Sequence, residues 1–152
     1  MLIAVLVPLA LLRFLDGDEG VYAYAAHLAV DGRLPYRDFF YEQMPLLPYV
    51  YGAWTALAGE SWYAVRLLSA LFALASGVLL YALATRRLGD SRYGLAAVVC
   101  YAGSALVFGY FTIVKTFALA TFLLLVAYTL AERGRGSRSA YHDSPAIAVQ
   151  AP

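Results

Sequence analysis

The chain has 152 residues, of which 62% are hydrophobic and 14% charged, and its formal net charge is +1. Soluble domains carry about 25% charged residues and leave much of their surface in water, so a water-soluble fold of this composition could not cover its apolar area. The near-neutral balance gives no basic field for nucleic acid. A single cysteine, Cys100, excludes an intrachain disulfide.

In chain order, Met1–Leu15 is the first apolar run. It has neither a basic leading region nor a small-x-small cleavage site, so it is predicted to be a membrane helix rather than a signal peptide. At about 15 residues it falls short of the roughly 20 that span a bilayer. The helix is therefore expected to begin upstream or to borrow length from Asp16 onward. Residues 16–61 are polar by comparison, holding Asp16, Asp18, Glu19, Asp31, Asp38, Glu42 and Glu60 of the 10 acids. Trp62–Thr85 is the second membrane helix, with a rise of ~36 Å, and its lone Arg66 is expected to snorkel to the interface. Tyr93–Phe108 and Thr112–Ala131 are the third and fourth, and the short Gly109–Phe111 link predicts a tight antiparallel pair.

The fold class expected is all-α and integral to the membrane, with about four transmembrane helices. Small residues repeat every fourth position at Ser69, Ala73 and Gly77, and again at Ala96, Cys100 and Ser104. Such stripes let membrane helices approach closely, and Cys100 is expected as a small buried hydrophobe. Residues 134–152 lose periodicity and read as a disordered cytoplasmic tail, leaving 1–133 as the transmembrane portion.

Basic residues set the orientation. Arg86, Arg87 and Arg92 lie between helices two and three, and Arg133, Arg135 and Arg138 follow helix four. Both groups belong in the cytoplasm by the positive-inside rule. The chain is thus predicted as a multi-pass cell-membrane protein with cytoplasmic termini and an outward 16–61 loop. Within that loop Val21–Val30 and Tyr49–Ala58 read as short helices, and the density of aromatics suits an interfacial position.

Asp16 and Glu19 have capping-box spacing and favour the positive end of the following helix. An acid at the mouth of a membrane bundle is also partly desolvated, which suits a general base. Both readings stand: Asp16 can cap while Asp18 works.

The string Asp18-Glu19-Gly-Val-Tyr22-Ala23, with Asp31-Gly32 and then Pro45-Leu46, resembles the start of a GT-C glycosyltransferase. These are polyprenyl-phosphate-sugar enzymes related to protein O-mannosyltransferases and aminoarabinose transferases. The likeness covers roughly residues 1–133. It implies transfer of a sugar, with inversion, from a lipid phosphate to an acceptor hydroxyl on the outer face of the cell envelope. Asp18 matches the first acid of the family's Asp-Glu pair, implying the carboxylate that activates the hydroxyl. Glu19 matches the second, with a supporting part. Arg33, Arg37 and Lys115 are the cations available to the donor phosphate, where charge develops on the leaving group. Lys115 is also an ionisable residue just inside a membrane segment, a hint of function; it could meet the lipid phosphate, pair with a loop acid, or snorkel.

Two positions depart from the family. Gln43-Met44 precede Pro45 where many relatives carry a lysine, and the outer link between helices three and four lacks a second acid. No cofactor is called for, and the missing acid leaves a divalent metal without support. The chain is shorter than its relatives, which points to an N-terminal piece, a truncated gene or a split subunit completed by a further membrane segment. The alternative function is a non-catalytic small membrane protein acting as an assembly partner. Nucleic acid is not an expected partner; the bilayer and a lipid-linked sugar are.

Overall fold

The computed structural model describes residues 2–14 and 16–142, with side chains through 134. Its elements are α1 (Leu2–Leu12), α2 (Glu19–Val30), α3 (Leu46–Ala58), α4 (Trp62–Leu88), α5 (Ser91–Ala102), α6 (Ala105–Tyr110) and α7 (Thr116–His142). No named strand occurs among the described residues; Pro35 and Phe39 form an isolated bridge.

α4 is the axis on which the other elements pack. Its 27 residues rise ~40 Å, more than the ~30 Å hydrocarbon core of a bilayer. Ser61 caps its start by accepting from the Ala64 amide at 3.1 Å. Gly89 ends it at φ 75°, the left-handed conformation that glycine adopts without a Cβ penalty. α1, α5 and α7 all pack against α4, whereas α2 packs on α3 and α3 on α4. α4 and the first 19 residues of α7, Thr116–Gly134, are long and apolar enough to cross a membrane. Leu67, Leu71 and Val78 on α4, with Leu124 and Leu130 on α7, stay exposed. Leucines facing outward along two such helices suit lipid rather than water.

The stripe on α4 behaves as expected. Ser69 and Ala73 are fully buried, and a Cβ on Gly77 would sit 2.6 Å from the Leu2 side chain of α1. The stripe on α5 does not, because Ala96 and Cys100 are exposed and the buried residue is Gly94. Gly94 is the point of close approach to α4: an added Cβ would lie 2.8 Å from the Tyr81 carbonyl.

Other boundaries shift for local reasons. α1 ends at Leu12, three residues before the end of the apolar run. The single helix expected over 93–108 is broken at Gly103, where Ser104 caps a new helix by accepting from the Val107 amide at 3.2 Å. α5 and α7 then meet α4 rather than pairing mainly with each other. α3 begins at Leu46 because Pro48 falls in its first turn, where a missing N–H costs nothing. α7 is helical to His142, and residues 143–152 of the expected tail lie outside the described residues.

Candidate functional site

α2 starts where the sequence placed its acids, and its two leading carboxylates have opposite surroundings. Asp18 stands at the N-cap position with its carbonyl accepting from the Val21 amide at 3.0 Å, but its side chain makes no cap hydrogen bond. It is instead 66% exposed, with Oδ2 3.0 Å from Lys115 Nζ. Lys115 Nζ also lies 3.1 Å from Asp16 Oδ1, so one ammonium bridges two carboxylates. The Tyr110 ring sits 5.1 Å beneath that ammonium, within cation–π range. Asp16 Oδ1 additionally accepts from the Asp18 amide at 3.2 Å. The capping box is thus half made: Glu19 reaches back to the Asp16 amide at 3.0 Å, while Asp16 turns to Asp18 and Lys115.

The titrations follow from this bridge. The Lys115 hydrogen bond, then the Asp18 amide, holds Asp16 below the usual carboxylate range. Burial works against the charged form of Lys115, yet the Asp18 and Asp16 carboxylates outweigh it and its pKa is raised. Tyr22, one turn along α2, is pushed up by burial and then by the negative charges of Asp18 and Glu42. Its ring meets Tyr41 edge-on at 6.3 Å. Burial pushes the Tyr41 phenol up as well, and its hydroxyl has no partner among the described residues.

Glu19 is fully buried. Its Oε1 accepts from Arg66 Nε at 3.0 Å and from the Val114 amide at 3.2 Å. Its Oε2 accepts from Arg66 Nη2 at 2.5 Å and from the Asp16 amide. Arg66 spends its remaining donors on the end of α1, with Nη1 3.4 Å from the Ala10 carbonyl and 2.8 Å from that of Arg13. Its Nη2 reaches the Phe14 carbonyl at 3.2 Å. Arg66 therefore turns inward at 4% exposure and does not snorkel. A buried ion pair is tolerated when its lone pairs and protons are satisfied, and here all five guanidinium N–H groups have acceptors. The sequence did offer a signal: an ionisable residue inside an apolar helix usually faces a partner in the bundle.

The other cations lie elsewhere. Arg33 and Arg37 follow the far end of α2, whose last residue lies ~18 Å along the helix from Asp18. Arg37 forks onto Asp38 at 2.9 and 3.1 Å and is 72% exposed, and no ion pair involves Arg33 among the described residues. Of the three cations proposed for phosphate, only Lys115 joins the carboxylates. Arg13, missed by sequence reasoning, sits at the same mouth, where its Nη1 donates to the Phe108 carbonyl at 3.0 Å and to that of Gly109. Gln43 accepts from Thr116 Oγ1 at 3.2 Å and ties the loop to the start of α7. A separate cavity of ≈ 200 Å³ lies beside His27, Glu60 and Trp62. There His27 Nδ1 and Glu60 Oε1 are 2.7 Å apart, and this contact raises the His27 pKa.

A buried ion-paired hub under an exposed carboxylate–ammonium cluster, on a bundle with two helices apolar and long enough to cross a bilayer, defines a helical membrane protein with a charged mouth. Residues 42–141 match the family described as dolichyl-phosphate-mannose-protein mannosyltransferase. The chain belongs to that family of membrane glycosyltransferases. The match includes Arg66 and Lys115 and begins after Asp16, Asp18 and Glu19. No curated protein and no solved structure matches the chain.

Proposed function

We propose that the chain forms the acceptor-activating end of an inverting glycosyltransferase that draws its sugar from a polyprenyl-phosphate donor. The observation that carries this reading is the Asp18 carboxylate, exposed at the bundle mouth and fixed 3.0 Å from Lys115. In the reaction the acceptor oxygen attacks the anomeric carbon while the bond to the lipid phosphate breaks. The hydroxyl proton passes to Asp18, and the leaving phosphate gains negative charge facing the Lys115 ammonium. Glu19, with each oxygen already accepting two hydrogen bonds, contributes by orientation. Arg33 and Arg37 take no part.

The membrane arrangement belongs to the same reading. Arg86 and Arg87 close α4 at the end opposite Arg66, and the contact of Arg87 with Glu132 brings Arg133 to that end. The positive-inside rule then puts both chain termini in the cytoplasm and the Asp18 cluster outside. α1 and the α5–α6 pair complete about four crossings, and α2 and α3 lie along the surface with Val21, Tyr24 and Leu57 exposed.

The test is sugar transfer from a polyprenyl-phosphate donor in membranes containing the protein. Asp18→Asn keeps size and capping ability but removes basicity, and its rate is expected to fall about 10²–10⁴-fold. Asp16→Asn is expected to be much milder. Near-normal transfer by Asp18→Asn would overturn the assignment. The outward face of Ala96 and Cys100 favours a second reading, a non-catalytic assembly partner. That reading predicts no transfer from the wild-type chain and co-purification with a larger membrane protein.

A further inference from the structure

We infer that Glu19 and Arg66 are positioning residues that hold the Val114 amide, and through it the Lys115 ammonium, against Asp18. This rests on the reading of Asp18 as the acceptor-activating carboxylate, but the geometry can be tested without it. Residues 111–115 form the irregular link between α6 and α7, so no helix fixes the position of Lys115. Burial of Phe111, Ile113 and Val114 seats the link, and its hydrogen bond to the start of α2 spans 95 residues of sequence, the Val114 amide donating to Glu19 Oε1 at 3.2 Å. The other oxygen of the same carboxylate accepts from the Asp16 amide at 3.0 Å. One buried carboxylate thus anchors the backbone on both sides of the Lys115 bridge. Arg66 fixes that carboxylate with two hydrogen bonds and anchors the end of α1 and the segment leading to Asp16 through the Ala10, Arg13 and Phe14 carbonyls. An ion pair serving the fold alone could be replaced by apolar side chains of similar volume. This one gathers the amides of Asp16 and Val114, whose neighbours carry the exposed cluster.

The experiment measures the distance directly. In a Cys100→Ala background in lipid nanodiscs, Asp18→Cys with Lys115→Cys is treated with a short bis-maleimide, and Lys115→Cys with Glu132→Cys, about 25 Å apart along α7, serves as the distant control. The near pair should cross-link efficiently and the control should not. Adding Glu19→Gln turns an N–H donor toward groups that are themselves donors. Near-pair cross-linking should then drop to the control level while the protein stays monodisperse. Arg66→Lys, which keeps the charge but loses the fork, should do the same. In otherwise wild-type protein both changes should lower kcat with little change in KM, since substrate groups are untouched. Unchanged cross-linking in both variants overturns the proposal, as does failure of both to fold, which would make the pair a determinant of the fold alone. Normal transfer by Asp18→Asn would overturn the functional reading and leave the cross-linking result standing.

Discussion

Two arginines on α4 meet opposite fates. Arg66, in its first turn and a half, has a side chain 5% exposed and pairs with a Glu19 side chain that is 0% exposed. Arg87, in its last turn, is 58% exposed and pairs with Glu132 at 33%, while Nη2 also donates to the Tyr128 hydroxyl at 2.9 Å. The chemistry of the two pairs is the same, but their surroundings are not. Water screens the Arg87 pair and can replace either partner, so it is a surface clip. At Arg66 no water can take the place of a lost carboxylate, and the pair gathers α1, α2, α4 and the 111–115 link around itself. Buried polar contacts are concentrated at the end of the bundle that carries the exposed cluster.

The sharpest way to break this comparison is to remove one charge at each end. Arg66→Met should cost about 3–5 kcal/mol, because it leaves Glu19 buried and uncompensated. Arg87→Met should cost no more than about 1 kcal/mol. Urea unfolding in mixed micelles compares them, and equal losses would mean that the two ends do not differ in the way described.

A smaller effect is expected where α2 meets α3, the helix pair above the hub. A Cβ on Gly52 would lie 2.8 Å from the Ala26 carbonyl, a backbone atom that cannot turn aside. Gly52→Ala should therefore destabilise by about 1–3 kcal/mol. Gly109, with nothing within 4 Å of its added Cβ, supplies the neutral control. Thermal unfolding of both in detergent decides whether the outer helices are held as tightly as the hub implies.

The smallest effect is a pH dependence at the solvent-facing edge of the same region. His27 is raised above its ordinary value by Glu60, with Asp31 adding to it. A raised histidine stabilises fully below its unfolded pKa of about 6.5 and loses that contribution as pH climbs through the higher folded value. The His27–Glu60 contact between α2 and the α3–α4 link should therefore weaken on the alkaline side of 6.5. An NMR titration of the His27 ring should give a midpoint above that value, and Glu60→Gln should lower it. A midpoint unmoved by Glu60→Gln would remove the contact from the account.

The reading from sequence succeeded where the cause is local. The helix at Glu19–Val30 was legible because an alanine-rich stretch lies between acids and Asp31-Gly32. α4 was legible over Trp62–Thr85 because its apolar run is contiguous, and the structure carries it three residues further, through Arg86 and Arg87 to Leu88. The break at Gly103 went unseen because the run around it stays apolar, and only the Ser104 cap marks a new start. The outward turn of Cys100 was missed because four-residue spacing places residues on one face without saying what that face meets. Of the site, the pairing of Asp18 and Lys115 was open from their types and the expected topology. That Arg37 pairs with its neighbour Asp38 was not legible, because one loop cation looks like another along the chain.

By itself the sequence determined that this is a helical membrane chain, which segments are apolar, and that acids gather before the first long crossing. Those are properties of composition and of neighbours along the chain. The tertiary structure alone decided that Asp18 and Glu19, adjacent in sequence, would become an exposed carboxylate and a buried one. Glu19's partners lie 47 and 95 residues away, and no local pattern encodes contacts at that separation. They form because a buried carboxylate must find donors wherever the fold brings them, and packing α1, α4 and the 111–115 link together brings them to Glu19.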